Sequence, residues 1–69
     1  MKEIKFAERF RESLSHSKYT CKELAEELGV AKSNLSNWKK GINLPSVEML
    51  FRISILLEET TDYLLGLED

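Results

Sequence analysis

Five polar side chains within one short stretch have the types and spacing needed to recognise nucleic-acid bases. At about 100° per residue they fall on one side of a predicted α-helix; they are Lys32, Ser33, Ser36, Asn37 and Lys40. This face carries amines, hydroxyls and a carboxamide, which are the donors and acceptors that read base edges in the DNA major groove. An ordinary solvated face would mix glutamate with lysine, so the absence of acid indicates contact with DNA.

Two short helices joined by a tight turn, over residues 21–40, must position that face. Thr20 and Glu23 have the spacing of a capping box, which predicts the start of the first helix. Apolar residues then recur at helical spacing: they are Leu24, Ala25 and Leu28. Gly29 follows where a helix end favours a residue that tolerates positive φ. The second helix is predicted to begin near Lys32 and to end before Gly41.

The combined pattern resembles the helix-turn-helix regulators of the lambda-repressor and Cro type, often called the Xre family. The matching residues are Ala25, Gly29, Val30, Leu35 and Trp38. The resemblance continues through GINLPS at Gly41–Ser46 to TDYLLG at Thr61–Gly66, so it covers nearly the whole chain. It implies an all-α, five-helix, lambda-repressor-like domain over residues 1–69. The second helix of the motif would then be the recognition helix, which enters the major groove.

The remaining helices can be placed from apolar spacing and capping residues. Phe6, Phe10 and Leu14 recur four apart and predict a first helix, on which Arg11 is expected to be solvated. Ser46 is predicted to cap a helix over Val47–Leu57 that is apolar around most of its circumference. Such a helix is central to a fold or lies in an interface. A last helix, capped by Thr60 or Thr61, ends at Gly66.

Several positions depart from the family pattern. Ser13 stands where relatives often carry an apolar residue, and Glu58–Glu59 stands where Gly-Val is common. Cys21 replaces a glutamine that in many relatives bonds a DNA phosphate. Ala31 is a poor cap for the recognition helix, so Ser33 is expected to cap a slightly later start.

The resemblance implies two sets of DNA contacts. Base-reading residues are expected to be Lys32, Ser33 and Asn37, with the shorter Ser36 ranked below them. Phosphate-contacting residues are expected to be Lys22, Asn34, Lys39, Lys40 and Asn43. Trp38 is expected to be buried between the motif and the helix that begins at Val47.

The expected partners are double-stranded DNA, with a near-palindromic operator, and a second copy of the chain. Family members commonly pair through the C-terminal end, so the homodimer interface is predicted at Ile55, Leu64 and Leu67. The alternative for Leu64 is a place in the monomer core. No cofactor, metal or small-molecule ligand is inferred, and no membrane partner.

Composition sets outer limits on these interpretations. The 69 residues suffice for one small domain, and the single cysteine excludes an internal disulfide or a cysteine-based zinc site. The charged first dozen residues argue against a signal peptide, and the apolar stretch at Ile53–Leu57 is far short of the roughly 20 residues of a membrane span. We therefore expect a cytoplasmic protein. The net charge of −2 divides into +1 for residues 1–15, +2 for residues 16–45 and −5 for residues 46–69.

The leading hypothesis from the sequence is a sequence-specific transcriptional regulator that represses by occupying its operator. The motif is shared by free-standing repressors, restriction controllers, antitoxins and detached repressor domains. The alternative is a protein-interaction module, antitoxin-like or an adaptor, with weakened DNA binding; Cys21 and the acidic tail favour it. An enzyme ranks last and no catalytic residue is predicted, because the single histidine and cysteine are separated and the carboxylates lie on solvated faces.

Overall fold

The computed structural model describes residues 3–68, and this part of the chain contains five α-helices and no β-strand. The helices are α1 (Phe6–Ser15), α2 (Cys21–Leu28), α3 (Lys32–Lys40), α4 (Val47–Leu57) and α5 (Thr61–Leu65). The all-α, five-helix expectation is confirmed. Helices α2 and α3 form the predicted helix-turn-helix pair.

Side-chain caps start three of the helices where the sequence predicts them. The Glu23 amide donates to Thr20 Oγ1 at 3.1 Å and the Thr20 amide donates to Glu23 Oε1 at 2.9 Å, which completes the capping box of α2. Ser46 caps α4 by accepting from the Met49 amide at 3.1 Å. Thr60 rather than Thr61 caps α5. Each cap satisfies an amide that has no partner within its own helix.

The turn between α2 and α3 depends on Gly29. Its φ of 71° lies in the left-handed region, which a residue without a Cβ adopts at low cost. The Val30 amide can then reach back to the Ala25 carbonyl at 3.0 Å, which closes the end of α2. The turn thereby fixes the direction in which α3 leaves α2.

Aromatic rings of α1 and α3 form the centre of the core. The Phe6 and Phe10 rings are stacked at 5.1 Å, and the Phe10 ring meets the Trp38 indole edge-on at 6.1 Å. Trp38 is 6% exposed, so its predicted burial is confirmed. Its aromatic partner is Phe10 of α1, and it shares the core with Ile53 and Leu57 of α4. Helix α1 packs closely on α3 and α5, which explains this arrangement.

Leu64 belongs to this core and has no exposed surface. The sequence interpretation had placed it in a homodimer interface, and the structure assigns it to the alternative, the monomer core. The reason is the length of α5: in so short a helix, one inward side chain must anchor the whole element against α1 and α4. Ile55 and Leu67 remain more than half exposed, at 59% and 54%.

Ser13 and Glu59, which both depart from the family pattern, form a hydrogen bond with each other. Ser13 is buried, and its hydroxyl donates to Glu59 Oε2 at 3.1 Å, so the polar residue in the core has a matching acceptor. Glu58 ends α4 with a φ of 57°, and it is the one non-glycine residue among those described with a positive φ. The Glu59 amide then bonds the Ser54 carbonyl at 2.9 Å, which is the same closure that Gly29 allows at the end of α2.

Arginine side chains fasten distant elements to one another. Arg52 of α4 donates to the Leu28 and Glu27 carbonyls at the end of α2, each at 3.1 Å. Arg9 of α1 donates to the Tyr63 carbonyl at 2.9 Å and lies over the Tyr63 ring, 4.4 Å from its centroid. These contacts hold α4 against α2 and α5 against α1. The helices around the helix-turn-helix pair are therefore fixed to one another.

Candidate nucleic-acid interface

The outward face of α3 combines exposure with a complete lack of acid. Lys32, Ser33 and Asn34 are exposed in its first turn, Ser36 and Asn37 are half-buried in the middle, and Lys40 is exposed at the end. Leu35 and Trp38 on the opposite side are buried and hold the helix in place. The structure therefore brings the four predicted base-reading residues together on one surface.

The start of α3 differs from the sequence interpretation. Ala31 is the N-cap residue and makes no side-chain cap, and the helix begins at Lys32. The Asn34 amide bonds the Ala31 carbonyl at 2.9 Å, so the first turn closes through the backbone. Ser33 therefore does not cap a later start, as had been expected. Its hydroxyl is exposed on the outer face and available to a ligand.

A shallow groove of about 330 Å³ runs beside this face, between α3 and the neighbouring parts of α1 and α2. Four cationic side chains line it: Arg11, Lys32, Lys39 and Lys40. The same groove is lined by Cys21, Leu35 and Ser36, and by no carboxylate among the described residues. Four positive charges beside one apolar floor form a surface that attracts a polyanion.

Arg11 also lines this groove, although the sequence did not predict it as a DNA-contacting residue. It remains exposed, as expected, but its guanidinium donates to the backbone carbonyl of Lys39 near the end of α3. A cation at a helix C-terminus is favoured by the helix dipole, so this contact stabilises the end of α3. The signal in the sequence was the position of Arg11 directly after the core residue Phe10, on the flank of α1 that turns toward α3.

Lys39 also has a contact that spacing alone did not reveal. Its Nζ lies 3.4 Å from Cys21 Sγ and donates to it, across the junction of α3 with the start of α2. Cys21 itself is half-buried as the first residue of α2. The Lys39 ammonium group thus lies beside the first residue of α2.

Two other predicted phosphate-contacting residues do not line the groove but are exposed to solvent. Lys22 is exposed in the first turn of α2, and Asn43 is exposed in the loop that follows Gly41. Gly41 ends α3 with a φ of 75°, and the Ile42 amide bonds the Asn37 carbonyl at 3.0 Å. The loop with Asn43 is therefore tied to the last turn of α3.

The described residues give little support for a metal site or a membrane-spanning segment. Within residues 3–68, no three histidine, cysteine, aspartate or glutamate side chains are grouped so that they could hold a metal ion. None of the helices in that range is both long enough and apolar enough to cross a membrane. No buried side-chain nitrogen or oxygen in that range lacks a hydrogen-bond partner. The groove beside α3 is therefore the best candidate for a functional surface.

Comparisons with known proteins agree with this geometry. A family model described as "Helix-turn-helix" matches residues 8–64. Two curated proteins of Bacillus subtilis (strain 168) are similar to the chain. It is 35% identical over 66 residues to the HTH-type transcriptional regulator ImmR, covering 96% of this chain and 52% of the relative. It is 31% identical over 64 residues to the uncharacterized HTH-type transcriptional regulator YobD, covering 93% of this chain and 57% of the relative.

A solved structure shares the fold. The solution structure of the SOS-response transcriptional repressor LexA from Eubacterium rectale superposes with a TM-score of 0.83 at 25% identity. The match covers 94% of this chain and 67% of that one. The chain spans about half the length of the curated relatives, so the shared part is the helical region around the motif.

Proposed function

Since the chain belongs to the helix-turn-helix family, which is not an enzyme family, we propose that it is a transcriptional regulator that binds specific sequences of double-stranded DNA. It acts as a repressor, by occupying an operator and excluding other proteins from it. Residues 1–69 act as a single DNA-binding domain, and the protein works in the cytoplasm.

The observation that carries this proposal is the acid-free outer face of α3 beside a groove with four cations. The chain as a whole has a net charge of −2, so a surface of this kind is not a by-product of composition. Four positive charges line one groove beside α3, and no carboxylate of the described residues lines it. Such a distribution attracts DNA and orients the protein on it.

The first turns of α3 read the bases. In the major groove, the Lys32 ammonium can donate to guanine O6 or N7, and the Asn37 carboxamide can pair with adenine N6 and N7. The exposed Ser33 hydroxyl can serve either as donor or as acceptor. Ser36 has a shorter reach and is half-buried, so its contribution to base reading is smaller.

The cations around the groove hold the DNA backbone and set the register. Lys40 and Lys22 are exposed, and the exposed Asn34 and Asn43 add neutral donors. Lys39 supplies the donor that Cys21 lacks, because its ammonium group lies beside the Cys21 sulfur. Arg11 joins this set as a residue that both supports the end of α3 and faces the groove.

The regulator binds a near-palindromic operator as a homodimer. A two-fold pair presents one recognition helix to each half-site, so the half-sites lie about 10 base pairs apart on one side of the duplex. Ile55 and Leu67 are the members of the expected interface that the structure leaves exposed.

One observation favours a second candidate, a protein-interaction module on the same scaffold. Three large apolar side chains on α4, namely Val47, Phe51 and Ile55, point to solvent and form one apolar stripe. A protein-binding surface of this kind does not require DNA binding. Binding of a random-sequence duplex at low salt distinguishes the two candidates. A DNA-binding regulator binds this duplex, and a protein-interaction module does not.

Selection of bound duplexes from a random library tests the proposed function. We expect enrichment of a sequence with two related half-sites, which gives the operator, its symmetry and its spacing together. A parallel selection with the Asn37→Ala variant is the matched comparison. Its preference for a particular base pair should be relaxed at one position in each half-site. Failure to enrich any sequence, with the wild-type chain folded, would refute sequence-specific binding.

A further inference from the structure

The C-terminal end of α2 has four backbone carbonyls that find no partner inside the helix, as in any α-helix. The carbonyls of Ala25 and Glu26 accept hydrogen bonds from backbone amides of the turn, at 3.0 Å and 3.2 Å. The last two carbonyls, those of Glu27 and Leu28, receive no amide from the turn and need donors from elsewhere in the molecule.

Arg52 of α4 supplies both of these donors. Its Nη1 donates to the Leu28 carbonyl and its Nη2 to the Glu27 carbonyl, each at 3.1 Å. A guanidinium group holds its donors in a planar fork, so one side chain can serve two adjacent carbonyls. The dipole of α2 also favours this positive charge, because the last turn of α2 has no basic residue of its own. The end of α2 is therefore completed by a residue outside the motif.

The two carbonyls lie directly before the turn that leads into α3. Only three residues, 29–31, separate α2 from α3. The N-cap residue Ala31 makes no side-chain hydrogen bond, so the start of α3 has no side-chain cap of its own. Lys32 and Ser33, two of the proposed base-reading residues, stand in this first turn. Their placement therefore depends on how firmly the end of α2 and the turn are held.

We infer that Arg52 is a positioning residue for base reading. By closing the end of α2 it holds the turn, and through the turn it holds the first residues of α3 in the geometry that base contacts need. The inference rests on the proposed function and deepens it. Hydrogen bonds to base edges depend steeply on distance and angle, whereas attraction to the phosphate backbone depends mainly on charge. Loss of the Arg52 fork should therefore weaken operator recognition more than general DNA binding.

Arg52 separates geometry from charge better than Arg11 does. Arg11 donates to the Lys39 carbonyl near the end of α3, but it also lines the cationic groove, so its removal would change both support and charge. Arg52 is not among the described residues that line the groove, and it lines a different depression with Ile55 and Leu56. An effect of Arg52 on base preference would therefore act through the position of α3.

Arg9→Met is the matched control for Arg52→Met. Arg9 also donates to two carbonyls, those of Tyr63 at 2.9 Å and Glu68 at 2.8 Å, but it fastens the C-terminal region and not the motif. Both substitutions remove a guanidinium group and keep an apolar stem. Both should lower Tm, so a loss of stability alone does not distinguish them. Binding is compared at a temperature where circular dichroism shows that each chain is folded.

Affinity for two duplexes tests the inference. One duplex carries a single half-site of the best sequence from the library selection, which keeps pairing between copies out of the measurement, and the other is its scrambled sequence. Arg52→Met should weaken half-site binding about tenfold, comparable with the loss of one good base contact, and scrambled binding less than about twofold. Its salt slope should stay that of the wild type. Arg9→Met should keep the wild-type ratio of the two affinities.

Amide hydrogen exchange provides a second readout, at the turn itself. The Val30 amide closes the end of α2, so its exchange should quicken about tenfold in Arg52→Met relative to the Phe10 amide of α1. Arg52→Lys keeps the charge without the fork and should give smaller changes in the same direction in both measurements. If Arg52→Met does not fold, Arg52→Lys decides the matter. A wild-type affinity ratio or wild-type exchange at Val30 in the folded variant overturns the inference.

Failure of this inference differs from failure of the proposed function. A folded wild-type chain that binds neither duplex refutes the proposed function, and the role of Arg52 in base reading falls with it. A wild-type chain that distinguishes the two duplexes, together with an Arg52→Met chain that distinguishes them equally well, refutes the role of Arg52 alone.

Discussion

The outward faces of α3 and α4 differ in almost every chemical respect, although the two helices are built alike on their inner sides. Leu35 and Trp38 anchor α3 in the core, and Ile53 and Leu57 anchor α4. Outside, α3 presents lysine, serine and asparagine side chains, whereas α4 presents the apolar stripe that begins at Val47. The inner faces are dictated by the fold, and the outer faces are free to serve different partners.

The two outer faces suit different kinds of partner. A polar face without acid is stable in water and gains from a polyanion, so it can remain uncovered until DNA is present. An apolar stripe is stabilised whenever it is covered, so it favours a protein contact. One small domain thus has two separate surfaces, and substitutions should affect stability, pairing and DNA binding independently.

The largest expected effect lies beneath α3. Trp38→Ala should lower the free energy of unfolding by roughly 3–5 kcal/mol, since it removes a buried ring from the aromatic core. This decrease would unfold much of so small a domain. The adjacent Asn37→Ala is the control and should change stability little, because Asn37 lies on the outer side. Denaturant unfolding followed by circular dichroism measures both, and full stability of Trp38→Ala would contradict its place in the core.

A similar pair exists on α4. Ile53→Ala should cost about 2–5 kcal/mol, because Ile53 has no exposed surface. Phe51→Ala, two residues away and larger, should cost less than about 1 kcal/mol in the monomer because its ring already faces water. Thermal unfolding at low protein concentration compares the two. An equal decrease for both would show that the stripe is covered within a single chain.

Two substitutions on α3 separate base reading from backbone contact. Asn37→Ala should weaken binding by about 1–3 kcal/mol per half-site on the operator and little on random DNA. Lys40→Ala should weaken both complexes alike and reduce the salt slope by about one for each phosphate that it no longer neutralises. Both effects should roughly double in a dimer. If the two variants weaken binding in the same proportion on both DNAs, the assignment of roles along α3 is wrong.

The smallest expected effect is a gain in stability at the end of α4. Glu58 adopts a left-handed conformation that glycine adopts at lower cost, and its charge opposes the helix dipole. Glu58→Gly should therefore stabilise the chain by about 0.5–1 kcal/mol, which raises Tm by roughly 2–8 °C. Glu58→Gln removes the charge and keeps the strain, so its gain should be smaller. A Glu58→Gly chain less stable than Glu58→Gln would contradict the conformational argument.

The sequence predicted the helix boundaries well because the signals that mark helix ends are local. Thr20, Gly29 and Ser46 mark helix ends through interactions with residues at most five positions away, and the structure confirms all three. The burial of Trp38 followed from helical spacing. Five elements in so short a chain leave few ways to arrange them, so the family pattern was enough to predict the fold.

Contacts between distant elements were not predictable from the sequence. The Ser13 hydroxyl meets Glu59 across 46 residues, and each residue alone looked like an unexplained departure. The contacts of Arg11 and Lys39 beside α3 also depend on how helices pack. The same holds for α4: its composition indicated an all-round apolar helix, but only the packing shows which three side chains remain outside.

Titration of a random-sequence duplex at low salt tests most directly whether the outer side of α3 binds DNA. We predict binding whose affinity falls steeply as salt is raised, a smaller salt slope for Lys40→Ala, and no change for Lys18→Ala. Lys18 is the control because it is also exposed but lines a different depression, beside the end of α4. Absence of binding by the folded wild-type chain at low salt, or equal effects of the two lysine substitutions, would contradict the account.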